Sequence, residues 1–324
     1  MSRRLRYEPF RGEAIMRRAR HVSPDDAYYH ITTRVAGYPD YFPFKDRQAA
    51  RRLRRMIFQY ASAFCCRLAA FSIMDNHYHF VVFIEKFRFL SRPELERRAR
   101  LFYGHRYHPT TRHWSDRRWL QFNRKLFEVS DLMQMINGEY GKWFNRRHGR
   151  RGHLWGDRFK NPELLDTESV AECVLYIELN ANRAGRVRRP EQWRESSANW
   201  RFRGKDVDLM PLEEIFPEVE KEKLFETYRW RLYHRGAVAT KDHQAVIPEW
   251  VLKQEQRRGF GRPGRFQKRQ RFFSDGVAVG SWEKVDELLQ EHCRRGDYKR
   301  PRSPVEQVPG VLYSLRRQRV TAFD

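Results

Sequence analysis

Among its twelve histidines the chain contains a single His-x-His, His77-Tyr78-His79. The motif opens a run rich in β-branched and aromatic residues, and on a strand residues two apart project from the same face. Both imidazoles would then stand side by side as half of a site for a divalent cation, with Tyr78 turned to the other face. A pair of histidines also occurs by accident on half-exposed strands, so the motif alone does not define a site. His105 and His108 form a second pair, but they fall in an irregular stretch with no element to align them. Farther on, a helical pattern places Val170, Val174, Ile177 and Ala181 on one apolar stripe, with Tyr176 and Asn180 four apart along its side. A tyrosine and an amide in that position could reach a shared site on a sheet, or simply mark the edge of a core. A third feature is the run Arg150-Arg151-Gly-His153-Leu-Trp155-Gly-Asp-Arg158-Phe-Lys160. Basic residues interleaved with aromatics suit a single nucleic-acid strand, because phosphates need charge and unpaired bases need faces to stack on.

Charge supports such a partner. The 324 residues carry 65 Lys and Arg against 41 Asp and Glu, a net +24. A field of that size attracts polyanions through counterion release but specifies no chemistry. The apolar fraction of 40% and aromatic fraction of 15% exclude wholesale disorder. No apolar stretch of membrane-spanning length occurs, and residues 1–20 lack the apolar core of a secretory signal, so the expectation is a cytoplasmic protein with no membrane partner. Cys65, Cys66, Cys173 and Cys293 form no CxxC pair, which argues against both a zinc knuckle and a disulfide framework.

The elements that must position these residues can be read in order. A basic arm (1–24) precedes a strand at Tyr28 to Val35. Asp46 caps a helix running to about Phe64, with Ala50, Leu53, Ile57, Tyr60 and Phe64 on one stripe. Strands at Arg67 to Met74 and His77 to Ile84 form a hairpin through Asp75-Asn76. Residues 87–128 read as irregular, with one short helix near Pro93 to Phe102. A second long helix begins at Ser130 or Asp131, and a last strand is expected around Leu154 to Leu165. Strand, helix, strand, strand, helix, strand predicts an α+β fold, a ferredoxin-like split βαβ antiparallel sheet. The next helix spans Glu168 to Ala184, with Ser169 and Glu172 fitting a capping box, Thr167 as a competing cap, and Gly185 ending it. Beyond it the chain is expected to be mainly helical. The expected organisation is the arm, a catalytic domain (25–200), a helical extension (201–256), a basic linker (257–272) and a small C-terminal segment (273–324) that carries a helix at Trp282 to His292.

Four stretches together resemble the HUH transposases, specifically those associated with repetitive extragenic palindromes. They are Tyr29-His-Ile-Thr-Thr-Arg34, Met74-Asp-Asn-His-Tyr-His-Phe80, the run from Asn145 to Lys160, and Tyr176-Ile-Glu-Leu-Asn180 through Arg183-Ala-Gly185 with Ser196-Ser197 downstream. Their order and approximate spacing cover about residues 22–200. The segment Phe272-Phe-Ser-Asp-Gly276 to Gly280-Ser281 resembles a C-terminal piece of some longer relatives, with no chemistry attached to it.

The resemblance implies an HUH fold in which His77 and His79 bind Mg²⁺ or Mn²⁺, Asn180 completes the metal site and Tyr176 is the nucleophile. Tyrosine is a weak nucleophile at neutral pH and needs such activation. The implied reaction is cleavage and rejoining of single-stranded DNA through a covalent 5′-phosphotyrosine, on hairpin-forming palindromic repeats. Arg150, Arg151, His153, Trp155, Arg158, Lys160 and Arg183 are then expected to contact DNA. The chain departs from the family in Tyr78, where an apolar residue is usual, in Ala181, where proline is common, and in Asn180, which replaces the glutamine of the insertion-sequence branch. The partner would be single-stranded or hairpin DNA, with the protein acting as a monomer or a homodimer. Two alternatives are a relative that has lost cleavage and acts as a DNA-binding protein, and a basic RNA-binding protein.

Overall fold

A computed structural model describes residues 22–37, 41–239, 244–257, 273, 276–297, 303–308 and 310–316. Of the basic arm it describes only Val22 to Pro24, and of the basic linker only Arg257, so the expectations for both lie mostly outside the described residues.

The fold is a mixed α+β arrangement built on one seven-stranded, mostly antiparallel sheet. Strand β1 is Ala27–Arg34, β2 Cys66–Ile73 and β3 His77–Ile84. Helix α1, Arg47–Ala63, connects β1 to β2, and its N-cap Asp46 accepts from the Gln48 amide at 2.8 Å. A cap of this kind contributes about 1 kcal/mol. Strand β3 pairs antiparallel with both β2 and β1, and the register sets Thr32 opposite His79 and Arg34 opposite His77.

Residues 87–128, expected to be irregular apart from one short helix near Pro93 to Phe102, contain that helix and two more. They hold α2 (Arg92–Tyr103), α3 (Tyr107–Thr111) and α4 (Asp116–Lys125). Ser91 and Ser115 cap α2 and α4, and Phe102, Trp119 and Phe122 are buried under them. Helices α3 and α4 are too short for their periodicity to stand out in so basic a stretch. Helix α5 follows at Val129–Arg147.

The expected strand at 154–165 is reduced to β4, Glu163–Leu164, paired antiparallel with β1. Upstream, isolated bridges at Trp155 and Lys160 hold this segment to Val35 and Thr32, and the His30 amide donates to the Pro162 carbonyl at 2.9 Å. Pro162 has no N–H to donate, so the ladder cannot run unbroken.

Next come α6 (Thr167–Glu178) and α7 (Asn180–Arg183), broken at Leu179 where one helix was expected. The cap is Asp166 rather than Thr167 or Ser169. Its carboxylate accepts from the Ser169 amide, and the Ser169 hydroxyl returns to the Asp166 backbone, a capping box three positions earlier than the one expected at Ser169 and Glu172. Gly185 ends α7 with φ +67°, a backbone conformation that favours glycine. Helices α8 (Ser197–Arg201), α9 (Leu212–Ile215), α10 (Leu224–Gly236) and α11 (Glu249–Gln256) complete the helical part.

The mainly helical extension is corrected at its end. Strand β5 (Gly276–Gly280) pairs parallel with β4, and after α12 (Trp282–Arg294) come β6 (Val305–Val308) and β7 (Leu312–Arg316). The full order is β2-β3-β1-β4-β5-β7-β6. Short strands rich in Gly and polar residues give weak period-2 signals, which is why the sequence did not reveal them.

The sheet separates two apolar clusters. Tyr29, Ile31, Tyr78, Phe80 and Val82 face α1, α2 and α5, whereas Ala70, Val81 and Leu164 face α6 and α10. Burying Val170, Val174 and Ile177 favours this seat by about 1.5–3 kcal/mol each, more than a cap contributes. The apolar stripe therefore decides which face of α6 meets the sheet. Among the described residues no helix is long and apolar enough to cross a membrane.

Candidate functional site

The α6 face of the sheet carries the side chains that alternate with the core. His30 and Thr32 of β1 lie there, next to His79 of β3, while Tyr78 points the other way and donates to Asn137 Oδ1 on α5 at 2.6 Å. The hydroxyl that Tyr78 adds to the motif thus has a partner away from the histidines. The His77 and His79 rings are 5.0 Å apart and nearly perpendicular. His79 Nδ1 lies 3.0 Å from His30 Nε2 and 2.8 Å from the Thr32 hydroxyl. His77 Nδ1 lies 2.8 Å from Asn76 Oδ1. Among the described residues neither Nε2 has a hydrogen-bond partner, so each imidazole keeps one nitrogen for a ligand.

All three histidines are held neutral. Burial lowers His30 to about 4, and burial followed by the Arg34 charge lowers His77 to about 3. His79 is pushed well below its usual range, chiefly by burial and then by its histidine neighbours. Neutral imidazoles are the form that binds a metal. Among the described residues no group of three or more His, Cys, Asp or Glu is arranged to hold a metal ion. Two imidazoles would therefore need a third ligand of another type. Both nitrogens of His30 are engaged, which leaves the Asn180 amide as the nearest expectation from the sequence. Asn180 is half-buried and its Nδ2 is buried without a hydrogen bond.

Helix α6 brings Tyr176 to the same place. Its ring meets His30 edge-on at 5.9 Å and His79 edge-on at 6.2 Å between centroids. Phe273 closes the other side, 5.3 Å from the Tyr176 ring, and its carbonyl lies 2.6 Å from His30 Nδ1. Arg183, expected on a DNA-facing surface, is instead buried, with its guanidinium 5.5 Å from the centre of the Tyr176 ring. None of its three nitrogens has a hydrogen-bond partner, and burial lowers its pKa to about 10.

The basic run divides. Arg151, His153 and Arg158 are exposed, and Lys160 is half-buried beside β1. Arg150 is anchored on the Tyr41 hydroxyl. Trp155, expected to contact DNA, is half-buried against the core. Its indole donates to the Asn137 carbonyl at 2.9 Å, and its ring packs against Phe44, Tyr78 and Tyr140. A large aromatic with a buried acceptor within reach is better placed in the core than in water. His105 and His108 are both exposed.

Sequence reasoning missed His30, Thr32 and Phe273 as parts of the site. His30 and Thr32 are two apart on a strand, and period 2 could have placed them on one face. Phe273 lies in a segment that resembled a piece of longer relatives, but neither its carbonyl on His30 nor its ring against Tyr176 follows from a local pattern.

No family model matches the chain, and no curated protein is significantly similar to it. Among solved structures the chain is similar to a REP-associated tyrosine transposase bound to a REP hairpin, at 14% identity and a TM-score of 0.40, over 60% of this chain and 89% of that one. That likeness is distant.

Proposed function

We propose that this chain is an HUH-type tyrosine transposase that cuts one DNA strand with Tyr176 and rejoins it, acting on hairpin-forming repeats. The observation that carries the reading is the approach of the Tyr176 ring to the buried His79, from a helix seated over the strand that bears the histidine pair. The order β2-β3-β1-β4, with antiparallel neighbours throughout, supports the split βαβ layer of the HUH fold.

In this reading the Tyr176 oxygen attacks the phosphorus of a phosphodiester and the bond to the 3′ oxygen breaks. The phenolic proton passes to solvent, and the departing 3′ oxygen takes one up. One phosphate ester replaces another, so rejoining by the reverse path needs no ATP. Arg183, a buried cation beside the phenol, favours its ionised form. His77 and His79 would hold Mg²⁺ or Mn²⁺ through Nε2, with the Asn180 amide as third ligand. When bound, such a cation offsets charge on the phosphate oxygens. Arg150, Arg151, His153, Arg158 and Lys160 line the approach of the backbone.

The test uses an end-labelled hairpin with an unpaired flank and a perfect duplex of the same sequence, each with Mn²⁺ or EDTA. The hairpin should be cut on one strand at the base of its stem, only with Mn²⁺, and not by His77→Ala or His79→Ala. Cleavage of both duplex strands, or activity that persists in EDTA, would overturn the assignment. Binding without cleavage would favour the DNA-binding alternative.

A further inference from the structure

A histidine binds a cation through one nitrogen only if that nitrogen carries no proton. The hydrogen bond made by the other nitrogen decides this. Around the histidine pair the proton positions follow from groups that cannot change their role.

The first chain starts at the Phe273 carbonyl, which can only accept. His30 Nδ1, 2.6 Å away, must therefore carry a proton. A neutral His30 then has a bare Nε2, which can only accept. His79 Nδ1 lies 3.0 Å from it and must donate. The Thr32 hydroxyl, 3.2 Å from His30 Nε2 and 2.8 Å from His79 Nδ1, fits between them, donating to the first and accepting from the second. His79 Nε2 is left with its lone pair.

The second chain starts at Arg34, whose guanidinium can only donate. Its Nη1 lies 3.1 Å from an Asn76 side-chain atom, which must be the amide oxygen. The same oxygen is 2.8 Å from His77 Nδ1, so His77 also donates there and keeps Nε2 bare. Two chains that share no residue reach the same result on neighbouring rings.

The geometry points to His30, anchored on the Phe273 carbonyl, as the positioning residue that fixes His79 with Nε2 unprotonated, and to Arg34 with Asn76 as the pair that does the same for His77. The inference rests on the reading of His77 and His79 as cation ligands. It makes the C-terminal part of the chain a determinant of that site, because the acceptor that starts the first chain lies 243 residues from His30 in sequence. It also separates His30 from the ligands themselves, since both of its nitrogens are in use. Removing it should weaken a cation site without abolishing it.

The experiment uses the full chain with histidine labelled by ¹⁵N, metal-free for NMR, and Mn²⁺ titrations followed by EPR. In the wild type both His77 and His79 should be protonated at Nδ1. His30→Phe keeps a ring but no acceptor. It should shift His79 toward the Nε2-protonated form and weaken Mn²⁺ binding by about 10–100-fold, the range for lost outer-shell partners. His30→Gln returns an acceptor oxygen and should recover most of the affinity. Nε2 protonation of His77 or His79 in the wild type overturns the inference, whatever the variants do. Equal Mn²⁺ affinity in wild type and a folded His30→Phe overturns it too, as does equal loss in both variants, which would mark a packing role. A wild type that takes up no Mn²⁺ would sink the metal reading. The wild-type tautomers, measured without metal, would still decide the positioning role.

Discussion

Two neutral imidazoles, His30 and His79, and the buried Arg183 guanidinium pack about Tyr176, with a third neutral imidazole, His77, beside His79, and these buried groups cost stability that a purely structural core would avoid. His30 and His77 fall from 6.5 to about 4 and about 3 on burial. Between those values and 6.5 the unfolded chain binds more protons than the folded one. Stability present above pH 6.5 is therefore lost as pH falls through the folded values. In EDTA, the urea midpoint should drop between pH 6.5 and 4, and less steeply in His30→Gln. Parallel pH profiles would contradict the burial account. Arg183 is costly in another way, as a desolvated charge whose nitrogens make no hydrogen bond. Replacing such a charge by an apolar side chain is often neutral or stabilising. Arg183→Leu should keep or raise the melting temperature, while covalent attachment to DNA falls by about 10–100-fold, because a cation beside the phenol favours its ionised form by about that factor. Attachment at the wild-type level would remove Arg183 from the chemistry. Short periodicities in the sequence placed His77 and His79 on one strand face and Tyr176 beside the apolar stripe of a helix, whereas the roles expected of them came from the family resemblance. The role of His30 was not legible there, because it depends on a carbonyl from a distant segment.

At the level of elements, β1, α1, β2, β3 and α5 lie within a few residues of their expected positions, since each has a clear stripe or alternation and, for α1, a visible cap. The strands β5, β6 and β7 escaped because their residues gain their faces only from neighbours far away in sequence. One contact ties the two groups together. Asp166 caps α6 through the Ser169 amide at 2.8 Å and also accepts from the Ser281 amide at 2.5 Å, at the start of α12. At Gly280 a Cβ would come within 2.9 Å of Leu165 Cβ, so β5 can approach the link from β4 into α6 this closely only with glycine there. Asp166→Ala leaves both amides without their acceptor and should cost about 1–3 kcal/mol by chemical denaturation. Because α6 carries Tyr176, attachment to DNA should fall as well. A loss of stability with unchanged attachment would show that the cap does not position the tyrosine.

For the molecule as a whole, a net charge of +24 attracts polyanions of any sequence at low salt. Binding is therefore a poor discriminator, and the central claim concerns a bond. Wild-type protein should be incubated with a hairpin carrying an unpaired flank and Mn²⁺, then denatured and digested. The peptide that contains Tyr176 should be found by mass spectrometry with a nucleotide 5′-phosphate on its phenolic oxygen, and Tyr176→Phe should give no adduct at any residue. An adduct on another side chain, an adduct that survives in Tyr176→Phe, or strand cleavage with no covalent species would contradict the account.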